Sequence, residues 1–434
     1  MALHVTPHDT GTDTLHDLLR AIPLPRWAPV RVSHDAARLD DVAAAVAAQF
    51  GQGGVGERIT AGGRVALTAG SRGIDRIDEV LRAVIAEIKQ RGGEPFIVPA
   101  MGSHGGATAK GQCEILARYG VTEAQMGCPI RAAMDVIEIG QLPSGERLYT
   151  DRIAVTEADL IVPVGRVKVH TDFHGEVESG VCKMLTIGLG KQHGADSIHA
   201  SGFENFASLI PTAARFLLER LPVPFGIAVV DNGYGDLALV EAIPAERILT
   251  REAELLHDAR WRMAQLPIAQ LDVLVVDWMG KEISGAGMDP NVLGRYYGQK
   301  LPDGPDVQRI VVLDLTDATD GNATGMGLAD ICTARLEAKV DRTKTYINQI
   351  TSKTPEAGRL PLVAPNDCLA IQMAIACLHG TAPDAIRLLR IHNTRNLTEV
   401  WASEALLPSL LATGRAEQLG ALHAPVLNAD GNLW

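Results

Sequence analysis

Apolar and polar residues alternate along this chain in two rhythms, one suited to buried strands and one to helices. RVALTAG (64–70) is a short apolar run closed by the turn SRG, and IDRIDEVLRAVIAEIKQRG (74–92) then spaces its apolar residues as a helix does, until Gly92 and Gly93 stop it. EPFIVPA (94–100) is a second apolar run, followed by the loop MGSHGGATAKG and a further helical stretch, QCEILARYG (112–120). Strand–helix–strand units pair their strands in parallel through a right-handed crossover. Ser71-Arg72 and Ser103-His104 are therefore expected at the C-terminal ends of neighbouring strands, the edge where open α/β sheets bind ligands.

The same reading extends down the chain. ADLIVPVG (158–165) is a strand that feeds the segment HTDFHGEVESGVCKMLTIGLGKQHGADSIH (170–199), which reads as a mostly buried helix rich in titratable groups. A helix near 203–220, the strand FGIAVVD (225–231) and a helix over 251–266 follow. A second series opens at LDVLVVDWMG (271–280) and continues through RIVVLDL (309–315), a helix GLADICTARLEAKV (327–340) and a strand RLLRIHNT (387–394). The expected fold class is α/β, two α/β domains with mainly parallel sheets and a ligand cleft between them. The N-terminal domain is expected over 1–268 and the C-terminal domain over 269–402, with a final helix around 403–413 joining 403–434 to the first domain.

Composition narrows the partners. At 434 residues the chain exceeds one ordinary core. Its 46% apolar and 21% charged residues are the balance of a globular protein. A net charge of −12 argues against nucleic acid or an anionic membrane, either of which needs a basic face. No apolar run approaches the ~20 residues that span a bilayer. The N-terminal residues lack the basic start and apolar core of a signal peptide, and the six cysteines never form a CxxC pair. A cytoplasmic protein with a small-molecule ligand is the expectation, with homo-oligomerisation left open.

The candidate chemistry is concentrated in few loops. Five of the thirteen histidines (His104, His170, His174, His193, His199) fall in loops or at helix ends near the strand termini. Histidine suits both proton transfer at neutral pH and metal ligation. Lys183, flanked by Val, Cys, Met and Leu, is expected to be partly desolvated, which lowers an amine's pKa and frees it for covalent work. No GxGxxG follows a strand with an acidic residue behind it, and GLGKQHG lacks P-loop spacing. The GSHGG loop, with Gly102 and Gly105, can cradle an anion on backbone N–H groups. Two glycine-rich loops of the second series, 280–295 and 317–330, offer Lys281, Asp289, Arg295 and Asn322 to fix a carboxylate or hydroxyl.

Taken in order, Ser71-Arg72, Gly102-x-His104 and then His…Lys183…His199 resemble the lactate racemase family, whose members use a nickel-pincer nucleotide. ISGAGMDPNVLGR and NATGMGLAD are similar to segments of a divergent branch, and the likeness extends over roughly 60–400. The resemblance implies that Lys183 anchors the pyridinium cofactor through a thioamide and that His199, sixteen positions on, is the fourth nickel ligand. A neutral imidazole with soft sulfurs suits square-planar nickel(II). It implies two acid/bases, His104 and either His174 or His170, with Ser71, Arg72, Gly102 and Gly105 around the cofactor. The activity so implied is racemisation or epimerisation of a 2-hydroxy acid by reversible hydride transfer, in a protein supplied by cofactor-synthesis enzymes. Gly105 stands where lactate racemases carry an arginine, which implies a substrate other than lactate, larger or more polar. Two further readings use the same groups: a non-catalytic protein that binds the nucleotide cofactor, and a zinc-dependent hydrolase.

Overall fold

The computed structural model describes residues 11–71, 73–297, 299–301 and 304–434, with side chains from residue 15 onward. The described residues form two compact units, one within 35–263 and one that joins 11–34 to the residues from 264 to 434.

In the unit of residues 35–263 the first strands form as their apolar runs dictate. Arg64–Ala69 is central in a parallel sheet, flanked by Glu94–Pro99 and Leu160–Val162. The crossover helix Ile77–Gln90 buries Ile77, Val80, Leu81, Val84, Ile85 and Ile88, one stripe at helical spacing, and carries Asp78 and Glu79 in its first turn, where the helix dipole favours them. The strand expected over 158–165 is two strands divided by Pro163. Leu160–Val162 stays in this sheet, whereas Val164–Arg166 pairs with Phe225–Asp231 in a second one completed by Leu237–Pro244. Proline has no N–H for a ladder, and beyond it the Val164 N–H turns to the Thr68 hydroxyl at 2.8 Å. The histidine-rich segment is helical only in part: Val181–Lys183, a π-helical turn Met184–Gly188, and the helix Lys191–His199. Its apolar residues, from Val181 to Ile198, pack into one core with helix Phe206–Leu218 and helix Ile248–Arg262.

The other unit is built on one large sheet in the order Leu362–Ala364, Ile331–Thr333, Asp306–Leu315, Gln270–Met279, Leu388–Asn393, Asn396–Ser403, Trp27–Val32, Ala416–Gln418. The first five strands run parallel and the last three pair antiparallel. Gln270–Met279 and Asp306–Leu315 are ten-residue runs buried almost throughout, the pattern of parallel strands covered on both faces. The fold is therefore mixed α/β with a large, mainly parallel sheet and several smaller ones. No helix among the described residues is long and apolar enough to cross a membrane.

Three details differ from the sequence reading. The helix expected over 327–340 begins only at Ala334, because Ile331–Thr333 enters the sheet and Thr333 caps the helix through the Leu336 N–H at 3.1 Å. The final helix is only Leu407–Leu411, since Asn396–Ser403 is a strand. Finally, Trp27–Val32 pairs with Asn396–Ser403 and Ala416–Gln418, so these strands belong to the unit that holds 264–402, whereas the sequence reading set Trp27–Val32 in the domain over 1–268.

Candidate functional site

The C-terminal ends of the strands Arg64–Ala69 and Glu94–Pro99 bring the first groups together. Ser71 Oγ contacts His104 Nδ1, and the Tyr119 hydroxyl donates to the Ser71 carbonyl at 3.0 Å. The loop carrying His104 is held from beneath by the buried Gln112, whose amide donates to the carbonyls of Gly102 (3.0 Å) and His104 (3.3 Å). Gly105 takes φ +70°, and a Cβ there would stand 2.6 Å from the backbone of Gly111 and Gln112. Any side chain at this position would need a different loop.

This loop meets the histidine-rich segment directly. The Gly102 N–H donates to the Gly188 carbonyl at 3.2 Å, and the Met184 side chain packs on Gly70, where a Cβ would lie 3.1 Å from its methyl carbon. Lys183, the residue before Met184, touches His170 Nε2 with its Nζ. His170 in turn stacks at 4.5 Å on Phe173. Phe173 and Phe203 both pack on Phe206, which touches His199 edge-on at 5.3 Å.

His199 has a defined protonation. Its Nδ1 lies 2.6 Å from the Ala195 carbonyl, an acceptor only, so Nδ1 carries the hydrogen and Nε2 keeps its lone pair. Burial holds its pKa below the ordinary value, with Lys183, Asp172 and Asp196 as charged neighbours. A neutral imidazole with its tautomer fixed through the distal nitrogen is the form that ligates a metal.

His174 stands in another environment. Its Nδ1 lies 3.3 Å from Glu178, whose side chain is fully buried and also accepts from the N–H groups of His170 (2.6 Å) and Gly175 (3.2 Å) and from Arg260 (3.1 Å). One carboxylate thus shapes the whole loop of residues 170–178. Glu178 and Arg260 were absent from the sequence reading. The first had a signal, a carboxylate set between Val177 and the apolar run after Gly180, whereas Arg260, eighty-two positions away, had none. His193 lies apart, exposed and edge-on to Tyr149 at 4.4 Å. Arg72 lies outside the described residues.

Two buried charges support the site from behind. Lys191 is 0% exposed and left-handed at φ +53°. Its Nζ pairs with Asp151 at 3.0 Å and donates to Gln112 Oε1 at 3.3 Å and to the Pro99 carbonyl. Glu252, also 0% exposed, accepts the Cys182 N–H at 3.1 Å, and it fits because Gly180 is a glycine: a Cβ would lie 2.6 Å from the carboxyl. Burial pushes Glu252 up to about 7 and the Cys182 thiol well above its usual range.

In the other unit, two of the four substrate candidates converge. Lys281 Nζ and Asn322 Nδ2 both donate to Asn348 Oδ1, at 2.8 and 3.1 Å, beyond the C-terminal ends of strands Gln270–Met279 and Asp306–Leu315. Asp289 caps the short helix Pro290–Leu293 through the Asn291 N–H at 3.0 Å. Arg295 is separated from these groups. It binds both oxygens of Asp330 and the carbonyls of Val307 and Gln308, at the start of strand Asp306–Leu315. Eight residues at about 3.3 Å each put that end roughly 26 Å from the loop of Asn322. Among the described residues no three His, Cys, Asp or Glu side chains group to hold a metal.

No protein-family model matches this chain, and no curated protein matches it either. Among solved structures it is similar to a Thermotoga maritima protein determined by a structural genomics consortium, with a TM-score of 0.46 and 14% identity over 65% of this chain and 72% of that one. It is also similar to the lactate racemase apoprotein from Thermoanaerobacterium thermosaccharolyticum, with a TM-score of 0.43 and 16% identity over 65% of this chain and 69% of that one.

Removing one partner of a fully buried ion pair strands the other charge, so Lys191→Met is expected to lower unfolding stability by about 3–5 kcal/mol in urea titration. Replacing Asp151 by Leu in the same molecule should recover part of that loss, and an unchanged midpoint for Lys191→Met would contradict the pairing.

Glu252 gives a pH signature of known sign. Its folded pKa of about 7 lies above the ordinary 4.5, so its contribution is complete below pH 4.5 and is lost as pH rises through 7. The stability of the wild type relative to Glu252→Gln should fall by about 3 kcal/mol across that window. A difference that stays flat with pH in chemical unfolding would rule this out.

Proposed function

We propose that this chain is a racemase or epimerase of a 2-hydroxy acid that acts by reversible hydride transfer, with a nickel-pincer nucleotide anchored at Lys183. The observation that carries the reading is His199: a buried imidazole with its Nδ1 hydrogen committed to the Ala195 carbonyl and its Nε2 lone pair kept, in the same aromatic cluster as the His170–Lys183 pair. The sequence order around these residues supports it. A zinc hydrolase draws three ligands from the protein, whereas a pincer cofactor brings its own sulfur and carbon donors and asks the chain for one histidine. The donors present here fit the second demand.

When bound, the cofactor supplies the hydride acceptor, and the chain's residues supply the rest. Oxidising a 2-hydroxy acid at its α-carbon requires removal of the hydroxyl proton as hydride leaves. The planar 2-keto acid can then be reduced on either face, so each hand of the alcohol needs its own acid/base. His104 takes one role, steadied at Nδ1 by Ser71. His174 takes the other, steadied at Nδ1 by Glu178, so that proton transfer falls to Nε2. His170 is engaged on both nitrogens, by Lys183 and by the Asp172 N–H, which leaves His174 the better base of the two.

The test is production of the chain together with cofactor-making enzymes, followed by intact-mass and nickel analysis and assay of a panel of 2-hydroxy acids. A covalent adduct lost in Lys183→Ala, with isomerisation of an acid longer or more polar than lactate, is expected. His104→Gln and His174→Gln should each keep the adduct and lower turnover about 10²–10⁴-fold. Lactate as the best substrate would overturn the substrate assignment. A loaded protein inert toward every acid would favour a cofactor carrier.

A further inference from the structure

A second concentration of charge lies at the other end of the eight-stranded sheet, where its parallel strands begin. A cavity of about 520 Å³ opens there, the size of a small-molecule site. Its walls carry Arg295, Lys300, Arg309 and Arg387 against two carboxylates, Asp306 and Asp330. The chain as a whole carries −12, so this positive balance is local. Three of the four cations are answered. Arg295 pairs with Asp330 at 2.9 Å, Lys300 pairs with Asp306, and Arg387 Nε stands 3.6 Å from the buried Asp272. Arg309 has no carboxylate partner among the described residues. Its guanidinium donates to the Gln308 carbonyl at 2.7 Å and to His379 Nε2 at 3.3 Å.

These groups are held in place by the sheet. Arg309 stands opposite Val273 of the central strand Gln270–Met279, and Arg387 directly precedes the strand on its other side, Leu388–Asn393. Two strand spacings of ~4.8 Å set the two backbones roughly 10 Å apart. Asp272 accepts the Arg387 N–H at 2.8 Å and the Gln308 amide at 2.9 Å, and Gln308 Oε1 accepts the His379 N–H at 3.3 Å. One buried carboxylate thus ties together the three segments that carry Arg387, Arg309 and His379. An arginine only donates, so His379 Nε2 accepts and the ring keeps its hydrogen on Nδ1. Two of the five N–H groups of Arg309 are used in these contacts, and the rest have no acceptor among the described residues.

We propose that this cavity binds a small organic anion through its phosphate or carboxylate group, with Arg309 as the bidentate clamp and Arg387 and His379 beside it. A guanidinium fork matches two oxygens of either group. A cation without a carboxylate, on a cavity wall and fixed by its neighbours, is preorganised for such a ligand. The site is separate from the proposed chemistry. Lys281 and Asn322 lie beyond the C-terminal ends of the same strands, whereas this cavity lies where those strands start. The inference therefore stands independently of the racemase reading, and the chain without cofactor tests it.

The experiment is calorimetric titration of the full chain with inorganic phosphate and, separately, with acetate, at constant ionic strength set by chloride. Saturable binding of at least one probe is expected, and the tighter probe names the group that the ligand presents. Arg309→Gln should weaken that binding about 10- to 100-fold, the worth of a hydrogen bond to a charged group. Arg309→Lys keeps the charge and loses the fork, and it should weaken binding by a smaller factor. Binding of neither probe would overturn the inference. So would an affinity that Arg309→Gln leaves unchanged, because the anion then sits elsewhere. If Arg309→Gln does not fold, Arg309→Lys and Arg387→Gln decide, and unchanged affinity in both would overturn the site.

Discussion

One buried ammonium holds the site's scaffold in register. Lys191 has no exposure to water, and a charge so placed persists only if every partner is present, because its desolvation costs several kcal/mol. The partners come from separate pieces of chain: Asp151 at the end of a hairpin strand, the Pro99 carbonyl at the end of the strand before the His104 loop, and Gln112 in the helix after it. Lys191 also opens the helix that ends at His199. A shift of any one of these pieces would leave a charge or an amide unpaired. The left-handed φ of +53° at Lys191 is a strained choice for a lysine, and it is retained where these contacts over-determine it.

This dependence explains why the sequence ranks the lysines one way and the structure another. By its flanks Lys183 reads as partly desolvated, whereas nothing beside Lys191, between glycine and glutamine, signals burial. In the fold Lys183 is partly accessible and Lys191 is sealed, because the backbone turn at 191 sends its side chain inward to partners remote in sequence. Local signals of the fold were legible for the same reason that these were not. The helix Ile77–Gln90 and the strands around it follow from periodicity within one window, and the structure reproduces them. Trp27–Val32 pairs with Asn396–Ser403, far along the chain, and no local pattern records such a pairing. The three-residue strand Ile331–Thr333 is too short to interrupt a helical rhythm visibly. Arg295 was placed by assuming that a loop leaving a strand's C-terminal end stays there, whereas this one runs back to the other end of the sheet.

The two histidines of the 170–178 loop show what residue type leaves unsaid. His170 and His174 are chemically identical and four positions apart, and in sequence either serves as a base. Their partners divide them. A backbone donor at Nδ1 turns the hydrogen of His170 outward to Lys183, and a carboxylate at Nδ1 turns that of His174 inward to Glu178. One imidazole therefore presents a donor at Nε2 and the other an acceptor. Glu178 serves both, accepting the His170 N–H and facing the His174 ring. Opposite tautomers four residues apart thus rest on one buried carboxylate, whose own charge is answered by Arg260. Losing Arg260 would accordingly disturb both histidines at once, through the carboxylate they share.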